Sequence, residues 1–179
     1  MSSWVVVSVG VPVGLGLATS YAPLHPTAAD WYRRLRKPRY NAPHNILLPA
    51  LAVAYTAGGI GSYLVAGEME LARHTPELRA AQAGRLGLGF YWLGLTLAVL
   101  WPRLLAFGAS PHLALADLAA AALLQLLAMI QFFRLTATGG LLMLLCFGVS
   151  AALATWNAAL VLIRHDALPQ WAGGDPARE

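Results

Sequence analysis

The stretch from Asp30 to Gly67 constrains this chain more than any other. Its first part sets Arg33, Arg34, Arg36, Lys37 and Arg39 among Trp31, Tyr32 and Tyr40, and Pro38 and Pro43 prevent a continuous helix there. Its second part, Asn45 to Ala66, carries no charged residue. A hydrocarbon core takes ~20 apolar residues of helix to cross, and this run is long enough. A basic, aromatic, proline-stiffened loop leading into such a run is the pattern of a chain entering a bilayer from its positively charged side.

The remainder repeats the theme. With 58% hydrophobic and 11% charged residues and a mean hydropathy of +0.59, the 179-residue chain holds more apolar surface than a soluble core of that size hides. We therefore expect an all-α membrane protein, a five-transmembrane-helix bundle with helices at about 4–22, 45–66, 83–102, 112–133 and 139–163. These form one domain over 1–166, with a first loop at 23–44 and a polar carboxyl-terminal tail at 167–179. The first span lacks a cationic leader and is read as a retained helix.

The net charge of +4 comes from cations placed between the apolar spans, so membrane lipid is the expected acidic partner and nucleic acid is not. Five crossings put the first loop, third loop and tail on one face, with Arg33, Arg34, Arg36, Lys37, Arg39, Arg103, Arg164 and Arg178. The other face has Arg73, Arg79, Arg85 and Arg134. The imbalance predicts a cytoplasmic carboxyl terminus and first loop. Which membrane is meant stays open; in a eukaryote the mitochondrial outer membrane or the endoplasmic reticulum would be candidates.

Small residues mark where helices can approach. Gly10 and Gly14 stand at GxxxG spacing around Pro12, with Gly16 beyond, and Ala54/Gly58 and Ala57/Gly61 repeat the small-xxx-small pattern on the second span. Pro49, near the start of that span, predicts a bend. Residues Glu68 to Arg85 balance three glutamates with three arginines and read as a solvated connector with some helix. On the third span Gly87 and Gly94, with Ala83 and Ala98, form a smooth stripe that suits either a homodimer contact or packing within the bundle.

The run WYRRLRKPRYNAPH followed by PALAVAYTAGGIGSYLV resembles the signature of the translocator protein family, also called tryptophan-rich sensory proteins. The resemblance rests on Trp31, Tyr32, Leu35, Lys37, Pro38, Pro43, Pro49, Tyr55, Gly61, Tyr63, Leu64 and Val65. The Trp101-Pro102 end of the third span, the ALADL run from Ala114 to Leu118 and Asn157 on the fifth span extend it thinly along the chain. Tyr40, Ala42, Asn45, Leu51, Ala98 and Val149 depart from it; the family has Trp at the positions of Leu51 and Val149. The resemblance implies a five-helix bundle with an apolar cavity lidded by the first loop, binding and transporting a hydrophobic small molecule of porphyrin, sterol or terpenoid type. Its ligand-binding residues here would be Trp31, Tyr32, Pro43, His44, Pro49, Tyr55, Trp101 and Asn157. Loss of Trp at 51 and 149 removes two aromatic walls that a porphyrin would use.

Polar residues inside the spans bear on chemistry. A charged Asp117 within a helix costs ~2.5–3.5 kcal/mol on insertion scales, so something must compensate it. It is either a structural carboxylate paired with His112, Arg103 or an indole N–H, or an acid facing the cavity that gives a proton to an apolar substrate. The second alternative would make the protein a membrane-embedded isomerase, cyclase or porphyrin-degrading enzyme; a packing subunit with no ligand is a third reading. Gln125, Gln131 and Asn157 can cross-link helices. His25, His44, His74 and His165 lack metal-ligand spacing, and no metal or other cofactor is expected. Cys146, the only cysteine, excludes a disulfide framework, and hydrolase and phosphate-loop motifs do not occur. The run WNAALVLIR contains no Tyr, so a sterol-recognition pattern at that helix end is missing.

Overall fold

The computed structural model describes residues 6–20, 44–72, 78–106 and 111–166. All regular structure among them is helical: a π-helical turn Val6–Gly10 runs into α1, Val11–Ser20, followed by α2, His44–Ala72, α3, Leu78–Ala106, α4, Pro111–Phe133, and α5, Ala137–Asp166. The first loop and the carboxyl-terminal tail lie outside the described residues, together with Trp31, Tyr32 and Pro43.

The π turn has a local cause. Pro12 has no N–H to offer the carbonyl four residues back and its ring crowds that carbonyl, so the turn before it widens. Pro12 itself is fully buried. Helix α2 runs on through Pro49, which is exposed. It also extends to Ala72, carrying Glu68 and Glu70 outward, while α3 begins at Leu78. The connector is thus largely helix: Glu, Met, Leu, Ala, Gln and Arg all favour helix, so the apolar limits of the spans are not their structural ends.

Helices α4 and α5 form a tight antiparallel hairpin. The amides of Leu135 and Thr136 both bond the carbonyl of Phe132, at 3.0 and 2.8 Å, and Gly140 donates to Thr136 O at 3.1 Å to open the next helix. Gly140 lies against the ring of Phe133, leaving no space for a side chain.

Glycines set the other helix contacts. A methyl group on Gly87 would come 2.9 Å from Gln131 Cβ and 3.0 Å from Phe132, and one on Gly94 would come 3.2 Å from Leu124 Cβ, so both glycines face α4. The α3 stripe expected to serve a homodimer is therefore occupied inside the chain. On α2, Gly61 faces the carbonyl of Gly139, and Gly59 faces Ser8. Close approach of backbones is how apolar helices associate where lipid tails are as apolar as the side chains.

Two clusters fill the interior. One joins Ala54, Tyr55, Val65, Tyr91, Leu95, Ala128, Phe132, Met143 and Cys146; the other joins Trp101, Ala114, Leu118 and Leu153 toward the His44 end of the bundle. Outside, Val53, Leu86, Leu93, Leu113, Leu123, Leu141 and Leu162 are more than half exposed. So much exposed apolar surface is matched to lipid. Helices α2 to α5 contain four apolar segments of 23 to 26 residues, each long enough to cross a membrane; the apolar part of the first helix, Val6–Gly16, is shorter.

Candidate functional site

The side chains that face the middle of the bundle follow from helix periodicity. On α3, Tyr91, Leu95, Ala98 and Trp101 recur at helical spacing on one buried face; on α4, Leu118 and Gln125 do so two turns apart. They meet Leu51, Ala54 and Tyr55 of α2 and Cys146, Val149, Ser150 and Leu153 of α5 around a cavity. Its open volume is ≈ 10 Å³, near the threshold for a single water molecule. Among the described residues no Asp, Glu, Lys, Arg or His lines it.

Four polar side chains of the lining, besides Ser150 and Trp101, divide into two kinds. Tyr55 donates its hydroxyl to the carbonyl of Ala98 at 3.4 Å, and Cys146 donates its thiol to the carbonyl of Ala54. Those side chains are tied to backbone. The hydroxyl of Tyr91 and Oε1 of Gln125 are buried with no hydrogen-bond partner. The ring of Tyr91 is held edge-on to Trp92 at 5.4 Å between centroids and tilted against Phe132 at 6.3 Å. Gly58 closes the α2 wall here: a methyl on it would lie 2.5 Å from Cys146 Sγ and 3.0 Å from the Tyr91 ring.

Of the residues singled out in the sequence, Tyr55 and Trp101 line the cavity. Pro49 is exposed on α2, and His44 begins that helix with its side chain outside the description. Asn157 is fully buried on α5 about a turn past Leu153, beyond the lining, and neither of its amide atoms has a partner. Asp117 is half-buried and does not line the cavity; its neighbour Leu118 does, and successive helix positions point ~100° apart. Oδ2 of Asp117 has no hydrogen-bond partner, so the expected tie to His112, Arg103 or an indole is not made through that atom. Gln131 accepts from Arg134 at 3.3 Å on the outside of the hairpin.

Sequence reasoning passed over Tyr91, Leu95, Ala98, Leu118, Ser150 and Cys146 as wall residues. Tyr91 carried a readable signal: a hydroxyl in the middle of an apolar span, needing a partner as much as Gln125 does. Among the described residues no three His, Cys, Asp or Glu come together as a metal site.

Apolar helices packed through glycines around a small uncharged cavity, with leucine-rich outer faces, define a multi-pass α-helical integral membrane protein. The family comparison places it more narrowly. The chain matches the TspO/MBR family over residues 8–162 and belongs to that family. No curated protein matches the chain.

Proposed function

We propose that this protein binds, and carries across or along the membrane, a neutral hydrophobic small molecule held at the centre of a five-crossing bundle. The observation that carries the reading is the cavity itself, lined by residues of four helices and walled by Leu51, Leu95, Ala98, Leu118, Val149 and Leu153, with no charged group among its described lining residues. Leu51 and Val149, which stand where the resembling family has Trp, are both in that wall. Their smaller side chains take away the flat aromatic faces that favour a porphyrin, so the ligand is better described as a compact sterol- or terpenoid-like molecule.

With space for about one water, the cavity accepts such a molecule only if its walls move apart. Entry is from the end where Trp101, Leu118 and Leu153 close it, the same end at which α2 and α4 begin. The first loop, with Trp31, Tyr32 and Pro43, joins α1 to α2 in the sequence and is the lid of this proposal. The charge imbalance between loops supports a cytoplasmic lid and carboxyl terminus. A catalytic role for Asp117 finds no support in its position, since it does not line the cavity.

The reading is tested by mass spectrometry of lipophilic molecules that stay with the protein through purification in detergent. A molecule recovered in near-stoichiometric amount is expected. Recovery of bulk membrane lipid alone, in the proportions of the host membrane, contradicts a dedicated ligand.

A further inference from the structure

Gln125 is 3% exposed and Tyr91 2% exposed, both line the same cavity, and each has a buried oxygen without a partner. Two dispositions of a mid-membrane glutamine are common: a cross-link to a neighbouring helix, or contact with something that occupies a cavity. The first is not made through the amide oxygen, because no donor reaches Oε1. An unpaired buried acceptor is destabilising, and so is an unpaired buried hydroxyl, whereas Met and Phe would fill the same volumes without that cost. The cavity that both side chains line has room for about one water molecule.

We propose that this cavity recognises a hydrogen-bond donor, an O–H or N–H, on a neutral and otherwise apolar ligand, with Gln125 Oε1 as acceptor and the Tyr91 hydroxyl as second polar contact. The proposal rests on the ligand-binding reading above and adds the chemistry by which a ligand is told from a plain hydrocarbon. Tyr55 and Cys146 are already anchored, each donating to a backbone carbonyl, whereas neither Gln125 Oε1 nor the Tyr91 hydroxyl has any partner. A charged ligand group is unsuited, because no counter-charge lines the cavity among the described residues. A ligand donor supplies the missing hydrogen bond, while a hydrocarbon of the same shape leaves both oxygens unpaired.

Phenol and toluene are near-isosteric probes, differing by a hydroxyl for a methyl. Their uptake by protein-containing nanodiscs, each corrected for uptake by empty nanodiscs, gives a phenol preference expected to be about five-fold or more. Gln125→Met should abolish that preference and Tyr91→Phe should reduce it, and Gln125→Met should leave the thermal midpoint of the unliganded protein unchanged or raised. Equal corrected uptake of both probes overturns donor recognition and leaves the apolar cavity standing. Uptake of neither overturns the cavity reading and this proposal with it. A preference that survives Gln125→Met, or a lowered midpoint or loss of folding in that variant, makes Gln125 a structural tie and overturns the proposal.

Discussion

The carbonyl of Ser8 points at Gly59: a methyl group on that glycine would lie 2.5 Å from Ser8 O and 3.0 Å from Val9 Cα. Pro12 explains why that carbonyl is available, since it withholds the donor that Ser8 O would otherwise bond four residues on. The first helix is thus fastened to α2 by backbone contact, with a buried Ser8 at the seam. Gly59→Ala is expected to lower stability by about 1–3 kcal/mol through overpacking. Gly14, where an added methyl would meet nothing within 4 Å, provides the contrast: Gly14→Ala should raise stability by up to ~1 kcal/mol from helix propensity. Thermal unfolding of the two variants in one detergent checks both signs.

Gly94 bears on oligomeric state as well as on packing. Because it faces Leu124, Ala121 and Gln125 within the same chain, Gly94→Leu should lower the unfolding midpoint and the folded yield together. A variant that keeps its midpoint but runs at half the detergent-corrected mass would instead return the glycine stripe to a dimer contact. Light scattering alongside thermal unfolding separates the two outcomes.

Helix content and the membrane class were legible in the sequence because an uncharged run of this length has few other uses, and because Gly, Pro and interfacial cations punctuate it. Helix ends were less legible. Residues 68–72 and 78–85 are good helix formers that leave the apolar layer, and a hydropathy argument sees where the lipid stops rather than where the hydrogen-bond ladder stops. The cavity was half legible. Tyr55 and Trp101 were found through the family signature, but Ala98 and Leu95 look like any lipid-facing residue until the helix rotation is known. Asp117 misled for the same reason: its charge drew attention, yet the neighbouring Leu118 faces the cavity.

Asp117→Asn is accordingly expected to leave ligand retention unchanged and stability the same or slightly higher, since it removes a half-buried charge whose Oδ2 accepts no hydrogen bond. Asn157→Leu should act more strongly, stabilising by about 1–3 kcal/mol, because a fully buried amide with neither atom bonded is replaced by an apolar group of like size. Denaturant titrations of both variants measure this directly. A clear loss of stability in Asn157→Leu would mean the amide is bonded in the working protein.

Cys146 should behave as a protected core thiol. Its Sγ donates to Ala54 O and is covered by Gly58, and a buried thiol of this kind is inert. Reaction with a charged maleimide, for which the described lining offers no counter-charge, is expected to be slow in the folded protein and to become fast in denaturant. Fast labelling of the folded protein would show that the α2 to α5 contact opens readily.

Filling the cavity tests the central claim most directly. Ala98 is 4% exposed and lines it, and Ala98→Leu adds volume there without altering the backbone carbonyl that Tyr55 bonds. Leu93, 54% exposed on the lipid side of the same helix, serves as control in Leu93→Phe. The measurement is the amount of co-purified lipophilic molecule per folded protein, by mass spectrometry, in wild type and the two variants. The account predicts retention in wild type and Leu93→Phe and a loss of at least about ten-fold in Ala98→Leu. Equal retention in all three would place the ligand outside the bundle and contradict it.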